Sequence, residues 1–473
     1  MIATLIAIAA LALHAAGVLA AMHAVMNTRT AQGAFAWVLG LVLVPYVTLV
    51  PYLFLGASRF GGYVDLHRQR QARFFMLHAE AEHAARPGVA PLPQPVHDPR
   101  YSAIGHMLKT PMHAGNNLSL HIDGEAAFEA MFAAMARAEH YVLVQFFIIH
   151  DDGLGGRLRD ALLACATRGV QVCLLYDSIG SHALPDSYVE TLRKGGVDVR
   201  RFATRRFRNR FQLNFRNHRK VVVVDGERGF VGGLNAGDEY LGLKPPLAPW
   251  RDTHMQIEGP AVADLQRVFG EDWYWVSGER PPSMPPPERC GRANTMIVAT
   301  GPADRQESCS LFFTQAIHAA KKRVWITSPY FVPDQAVFGA LRLAVFRGVD
   351  VRILIPSRPD HRTVYAASTL YAHEATVAGI RMFRYLPGFI HQKVMLIDSD
   401  TAVVGSMNLD NRSFRLNFEI SALNVDAGFA TEVETMLKED FAQADEVNPN
   451  DYRRLPYLRR VALHVARLFD PVL

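Results

Sequence analysis

The chain has 473 residues, of which 49% are hydrophobic and 20% charged, with a formal net charge of +5. That length supports two or three domains with sizeable cores. The four cysteines (Cys165, Cys173, Cys290 and Cys309) form no CxxC pair and no metal-ligand spacing, so they read as reduced thiols rather than a zinc site or disulfide framework.

The apolar excess lies at the N-terminus. Residues 2–26 are an apolar run interrupted only by Thr4, His14 and His23, and residues 33–56 are a second, interrupted only by Thr48. Each has the ~20 residues that cross a bilayer as a helix. The short polar loop 27–32 between them predicts a transmembrane hairpin, with Pro45 and Pro51 kinking its second arm. A cleaved signal peptide would need a basic start, and the first basic residue is Arg29. Arg59, Arg68, Arg70 and Arg73 follow the second run, against Arg29 alone in the loop. This bias predicts a cytoplasmic location for everything downstream.

A proline- and glycine-punctuated linker follows at 84–99, and a second break lies at 281–287. The expected organisation is a hairpin at 1–60, a juxtamembrane segment and linker at 61–100, a first lobe at 101–280, an interlobe linker at 281–291 and a second lobe with a C-terminal tail at 292–473. The lobes repeat one pattern. In the first, a helix is predicted at 125–138, a strand at 141–149, a helix at 154–168 stopped by Gly169, and a strand at 170–177. In the second, a helix at 310–322 precedes a strand from Arg323, a helix at 335–347 stopped by Gly348, and a strand at 349–356. Strands alternating with helices predict an α/β fold of two pseudo-symmetric lobes, each a mixed sheet flanked by helices.

The repeat carries reactive groups. NHRKVVVVDGERGFVGGLN in the first lobe matches HQKVMLIDSDTAVVGSMN in the second. Counting from His218 and His391, lysine stands at +2 (Lys220, Lys393) and aspartate at +7 (Asp225, Asp398). Glycine follows at +14 (Gly232, Gly405) and asparagine at +17 (Asn235, Asn408). The β-branched runs 221–224 and 394–397 predict buried strands, on which positions 0 and +2 share a face while +7 has the opposite parity. The catalytic set is thus His218, Lys220, His391 and Lys393, with Asp225 and Asp398 included by motif but expected to brace the strand from behind. Gly232, Gly405 and Ser406 are expected to let backbone approach a phosphate, and Asn235 and Asn408 to donate from their amides.

Phosphodiester exchange needs a nucleophile and an acid, which two facing histidines supply. The lysines and asparagines would stabilise the charge on the non-bridging oxygens. No metal or cofactor is expected, because a cation at +2 repels a metal ion. Each imidazole needs a carboxylate behind it to fix its tautomer. The candidates are Glu419 (+28) in the second half and Asp252 (+34) in the first, the insert 243–249 accounting for the offset, with Glu239 as a rival.

These motifs resemble the phospholipase D superfamily, and more narrowly the bacterial cardiolipin synthases. The likeness extends to AWVLGLVLVPYVTLVPYLFLG, YDSIGS, WRDTHMQIEGPAV, SPYFVPD, NLDNRSFRLNFE and the final LFDPVL. Gln145 departs from the acidic residue expected there. The resemblance implies a phosphatidyl group passed from one phosphatidylglycerol to a histidine and then to a second phosphatidylglycerol, releasing glycerol. By analogy His218 is the nucleophile and His391 the acid, then base; the two are exchangeable on sequence grounds. It also implies a multi-pass protein of the bacterial inner membrane with no nucleic-acid partner. Residues 200–220, with eight arginines and one lysine among phenylalanines, are expected to contact anionic lipid. The rivals are a hydrolase using water as acceptor, a transferase using phosphatidylethanolamine as donor, and an inactive scaffold.

Overall fold

The computed structural model describes residues 2–28, 31–56, 69, 72–73, 95–203, 215–304 and 306–470. Most of the 84–99 linker, the core of the arginine- and phenylalanine-rich segment, and Arg29, Arg59, Arg68 and Arg70 lie outside them.

The N-terminal unit is helical. Its first helix, Ile2–Asn27, is the one helix among the described residues that is long and apolar enough to cross a membrane. The second apolar run is not a single helix. It divides into Ala31–Leu43 and Pro45–Leu55, with non-helical Val44 between them (φ −138°). The cause is Pro45, which lacks an amide hydrogen and disfavours helical geometry at the residue before it. Thr48 bridges the break by donating its hydroxyl to the carbonyls of Gly40 and Val44. Ala21, Ala24, Leu41 and Tyr52 pack together, and a Cβ at Gly17 would stand 2.3 Å from the Leu41 carbonyl oxygen, so the first two helices meet at backbone distance.

Among the described residues, the larger unit is built on one sheet of sixteen strands. At its centre His113–Ile122 pairs antiparallel with Ala293–Thr300. Outward through the first lobe the order is Thr253–Glu258, Arg228–Gly232, Val221–Val224, Tyr141–Phe146, Gln171–Asp177 and Asp198–Phe202. Outward through the second it is Asn417–Val425, Thr401–Gly405, Val394–Ile397, Arg323–Thr327, Asp350–Pro356 and Arg381–Tyr385, with Ala444–Glu446 beyond. Both halves run antiparallel from the centre and then make two parallel pairings. The pseudo-symmetry holds over these strands, and Ala444–Glu446, antiparallel to Arg381–Tyr385, is an addition of the second half.

Val221–Val224 and Val394–Ile397 are buried at every position, as central strands covered on both faces require. Each such side chain contributes roughly 1.5–3 kcal/mol of apolar burial. The helices Gly153–Thr167 and Gln335–Phe346 begin with aspartate caps (Asp152, Asp334) and end before Gly169 (φ +86°) and Gly348 (φ +80°), positions that favour glycine.

Candidate active site

Each histidine reaches the site by leaving its own lobe. The chain just before His218, Arg216–Asn217, forms a two-residue parallel ladder with Asn417 and Phe418 of the second lobe. The chain just before His391, Phe389–Ile390, pairs in the same way with Trp250 and Arg251 of the first. The His218 amide donates to the Phe418 carbonyl at 2.9 Å and the His391 amide to the Arg251 carbonyl at 2.7 Å. The next residue along each partner strand is a carboxylate, so the register delivers Glu419 to His218 and Asp252 to His391. The Nδ1 of His218 lies 2.9 Å from a Glu419 oxygen and that of His391 2.7 Å from Asp252. The expectation that each half supplies its own carboxylate is corrected: the pairs are crossed. The rival, Glu239, instead faces His150 at 3.5 Å.

Glu419 also accepts from the hydroxyls of Ser406 (2.5 Å) and Ser413 (2.8 Å) and from the Asn417 amide (3.0 Å). Burial opposes its ionisation, but His218, Lys220 and Ser406 outweigh it and hold its pKa below the ordinary value. Asp252 is lowered too: burial opposes, and Lys393 and His391 win. Its second oxygen accepts the Thr253 amide at 2.8 Å. Burial is the main force on the imidazoles. It lowers His218 to about 4 against the pull of Glu419, and burial with Lys393 lowers His391 to about 4 against Asp252. Values this low leave both rings neutral at pH 7, and the carboxylate beside each Nδ1 favours the tautomer with its hydrogen there and the lone pair on Nε2.

The lysines stand behind the histidines. Lys220 donates to the His218 carbonyl at 2.6 Å and Lys393 to that of His391. Burial pushes Lys220 well down and Lys393 to about 8.

The imidazoles open into one cavity of about 400 Å³, whose lining includes Asn235 and Asn408. Asn235 donates to the Tyr240 hydroxyl at 3.0 Å and accepts from the Ile148 amide, while the side-chain oxygen of Asn408 has no hydrogen-bond partner. Aromatic rings wall the imidazoles: Phe147 is centred 5.0 Å from His218 and Trp250 4.9 Å from His391. Tyr330, Asp360 and His361 also line the cavity. Sequence reasoning did not assign these residues. Their one signal was position, since Tyr330 lies in SPYFVPD and Trp250 in WRDTH.

Three assignments are corrected, Gly232, Gly405 and Ser406, while Asp225 and Asp398, included in the catalytic set by motif, take the bracing position that strand parity predicts. Each sits in a left-handed turn (φ 52° and 51°) beyond its strand. Asp225 accepts the amides of Glu139, His140 and Tyr141, and Asp398 those of Lys321, Lys322 and Arg323. They fasten the start of the neighbouring strand. Gly232 and Gly405 are absent from the cavity wall. A Cβ at Gly232 would stand 2.4 Å from the His254 ring, and one at Gly405 2.1 Å from the Ser421 hydroxyl, so they permit close strand packing. Ser406 holds Glu419 rather than a substrate phosphate. Gln145, where an acid was expected, donates its amide to Asp272 at 2.8 Å and to Asn217 at 2.7 Å, and a carboxylate there would face Asp272 with like charge.

Comparison with known proteins places this arrangement. The family model described as "Cardiolipin synthase, PLD-like domain" matches residues 131–273 and 313–441, one segment per lobe. The chain is 58% identical over 462 residues to Cardiolipin synthase A of Pseudomonas aeruginosa, covering 97% of this chain and 94% of that one. The chain belongs to the cardiolipin synthase family. It is also 56% identical over 468 residues to Cardiolipin synthase A of Pseudomonas entomophila, covering 98% and 97%. A phosphatidylserine synthase structure from Haemophilus influenzae superposes with a TM-score of 0.60 at 13% identity, covering 80% of this chain and 100% of that one, which is a likeness of fold. As a member of the cardiolipin synthase family the chain is a membrane-associated phosphatidyltransferase with a phospholipid substrate.

Proposed function

We propose that the enzyme joins two phosphatidylglycerol molecules into cardiolipin and glycerol through a phosphatidyl-histidine intermediate. The observation that carries this is the pair of neutral imidazoles, each backed by a buried carboxylate, opening on one cavity. His218 Nε2 attacks the phosphorus of the first lipid. The bond from phosphorus to the glycerol headgroup oxygen breaks, and His391 gives that oxygen its proton. A headgroup hydroxyl of the second lipid then passes its proton to His391 and attacks, and the phosphorus–His218 bond breaks. Glu419 and Asp252 support the imidazolium stage of their rings.

Charge accounting explains how His391 comes to be protonated. Among the groups around the imidazoles, Glu419 and Asp252 balance Lys220 and Lys393 when the lysines are charged. A phosphodiester adds one negative charge, and a nearby opposite charge raises an imidazole pKa. Substrate binding thus favours one protonated ring. Asn408, on the cavity wall, stabilises the developing charge on the non-bridging oxygens, and the lysines behind the histidines add positive charge from a greater distance.

The enzyme works at the inner membrane of a bacterial cell as a multi-pass protein with its catalytic part cytoplasmic. Arg59, Arg68, Arg70 and Arg73 against Arg29 support that orientation. In intact spheroplasts, exposed Cys290 should resist an impermeant thiol reagent until the membrane is opened.

The deciding assay supplies headgroup-labelled phosphatidylglycerol to purified enzyme in liposomes. Cardiolipin with free glycerol is the expected outcome. Phosphatidic acid alone would establish a hydrolase, and product formed only when phosphatidylethanolamine is added would establish the other donor. His218→Ala and His391→Ala should each lower turnover at least about 10²-fold with the melting temperature unchanged.

A further inference from the structure

The C-terminal helix Tyr457–Arg467 is amphipathic, and one apolar side of it is left exposed. Leu463 and Ala466 are buried against the catalytic body. Arg467 on the same side ion-pairs with Glu374 and Asp470 and lies over the Tyr371 ring. On the opposite side, Tyr457, Val461, Val465 and Leu468 fall at helical spacing, with Leu458 beside them. Tyr457 is 71%, Leu458 79% and Leu468 78% exposed. A second exposed apolar patch lies on the helices beside it. His373 and Glu374, which hold Tyr452 and Arg467, also line a groove of about 440 Å³ on the neighbouring helices Arg362–Val377 and Gln335–Phe346. At that groove Phe346 is 77% and Val377 67% exposed.

An apolar surface of this kind marks an interaction site in a soluble domain. Its charge identifies the occupant. Residues 453–470 carry five arginines (Arg453, Arg454, Arg459, Arg460 and Arg467) against Asp470 alone. A helix with an outward apolar face, an arginine-bearing polar face and tyrosine and phenylalanine at its ends has the composition of an interfacial helix.

We propose that the outward face of Tyr457–Arg467, with Phe346 and Val377, is the surface by which the catalytic body lies on an anionic lipid bilayer. The proposal rests on the reading of the substrate as a lipid within a bilayer and adds a second membrane contact to the N-terminal helices. The apolar side chains enter the acyl boundary, and the exposed arginines meet lipid phosphates.

The test uses the full-length protein in proteoliposomes, with Cys290→Ser and Leu458→Cys carrying an environment-sensitive fluorophore; the other three cysteines are buried. In phosphatidylcholine vesicles with added phosphatidylglycerol, emission should shift to the blue and be quenched by nitroxides on the acyl chains. Combined substitution of Arg453, Arg454 and Arg459 by glutamine should remove most of that quenching. A label that stays solvent-like in these vesicles would overturn the proposal. So would shielding that grows with protein concentration without nitroxide quenching, which would assign the face to a second copy of the chain. This readout does not depend on turnover, so it fails or succeeds separately from the proposed reaction.

Discussion

Glu419, a residue of the second lobe, receives the Nδ1 hydrogen of His218 in the first, and Asp252 returns the arrangement to His391. The crossing follows from two parallel ladders of two residues each, Arg216–Asn217 with Asn417–Phe418 and Phe389–Ile390 with Trp250–Arg251. The lobes are thus joined at the reacting groups as well as through the sheet.

Crossed pairing makes a prediction that half-by-half pairing does not. Glu419→Gln should impair the His218 step, lowering the rate of covalent phosphatidyl-enzyme formation on the order of 10- to 100-fold. Asp252→Asn should act on His391 and depress proton delivery to the leaving glycerol. Rapid acid quench with labelled lipid, followed by peptide mapping of the label, separates the two. Normal labelling of the first lobe in Glu419→Gln would refute the assignment.

Asp225 should matter for stability. Its carboxylate accepts three backbone amides from a left-handed turn, and alanine would leave them without that partner at a conformation it adopts poorly. An unsatisfied buried amide costs about 1–3 kcal/mol. Asp225→Ala should therefore melt several degrees below wild type, and Asp225→Asn, which tolerates the turn and keeps one acceptor oxygen, should melt between the two. Calorimetry checks the order; an inactive Asp225→Ala protein of wild-type stability would contradict it.

The nucleophile His218 must be neutral for attack to begin, so kcat/KM should fall as pH drops toward about 4. Glu419 raises the His218 pKa, so Glu419→Gln should move this acid limb lower. On the alkaline side, Lys393 loses its proton near pH 8, and KM should rise there. The stability sign runs with the acid limb. An unfolded imidazole takes up its proton near 6.5 and these folded ones near 4, so the unfolded state binds more protons between those values. Their contribution is present above 6.5 and is lost as pH falls toward 4. A pH-rate profile and a parallel denaturation series measure the two effects.

Gly233→Ala should disable the enzyme by a route the motif conceals. The new Cβ would lie 2.2 Å from an Asp252 oxygen and force the carboxylate from His391. Activity should fall about as far as in Asp252→Asn, with a smaller change in melting temperature. A crystal structure of the variant with Asp252 undisplaced would count against the argument.

Much of this site is legible in the sequence because it is local. The run Val221–Val224 declares a buried strand, and its parity predicts Asp225 turning away, where the structure places it holding the Tyr141 strand. The repeat of that run at Val394–Ile397 predicts the second lobe. What local pattern cannot carry is partnership across the chain. The offsets of +28 and +34 measure chain length to Glu419 and Asp252, whereas the pairing is decided by a ladder between segments about two hundred residues apart. The role of the glycines is hidden for a similar reason. A demand for close approach is visible at Gly232, but the His254 ring that makes the demand lies on another strand. Pro45 marked a bend within the second apolar run, and the full break at Val44 emerged only from the backbone.

The exchange of ladders has an evolutionary reading. A single ancestral lobe would carry one histidine and one carboxylate that cannot reach each other, so it would be inert until two identical copies met face to face, each completing the other. Tandem fusion would then make that encounter permanent and release the two copies from identity. Glutamate stands behind one histidine and aspartate behind the other, with Ser406 where the first lobe has Gly233, so the two half-sites are no longer identical, as that release would allow.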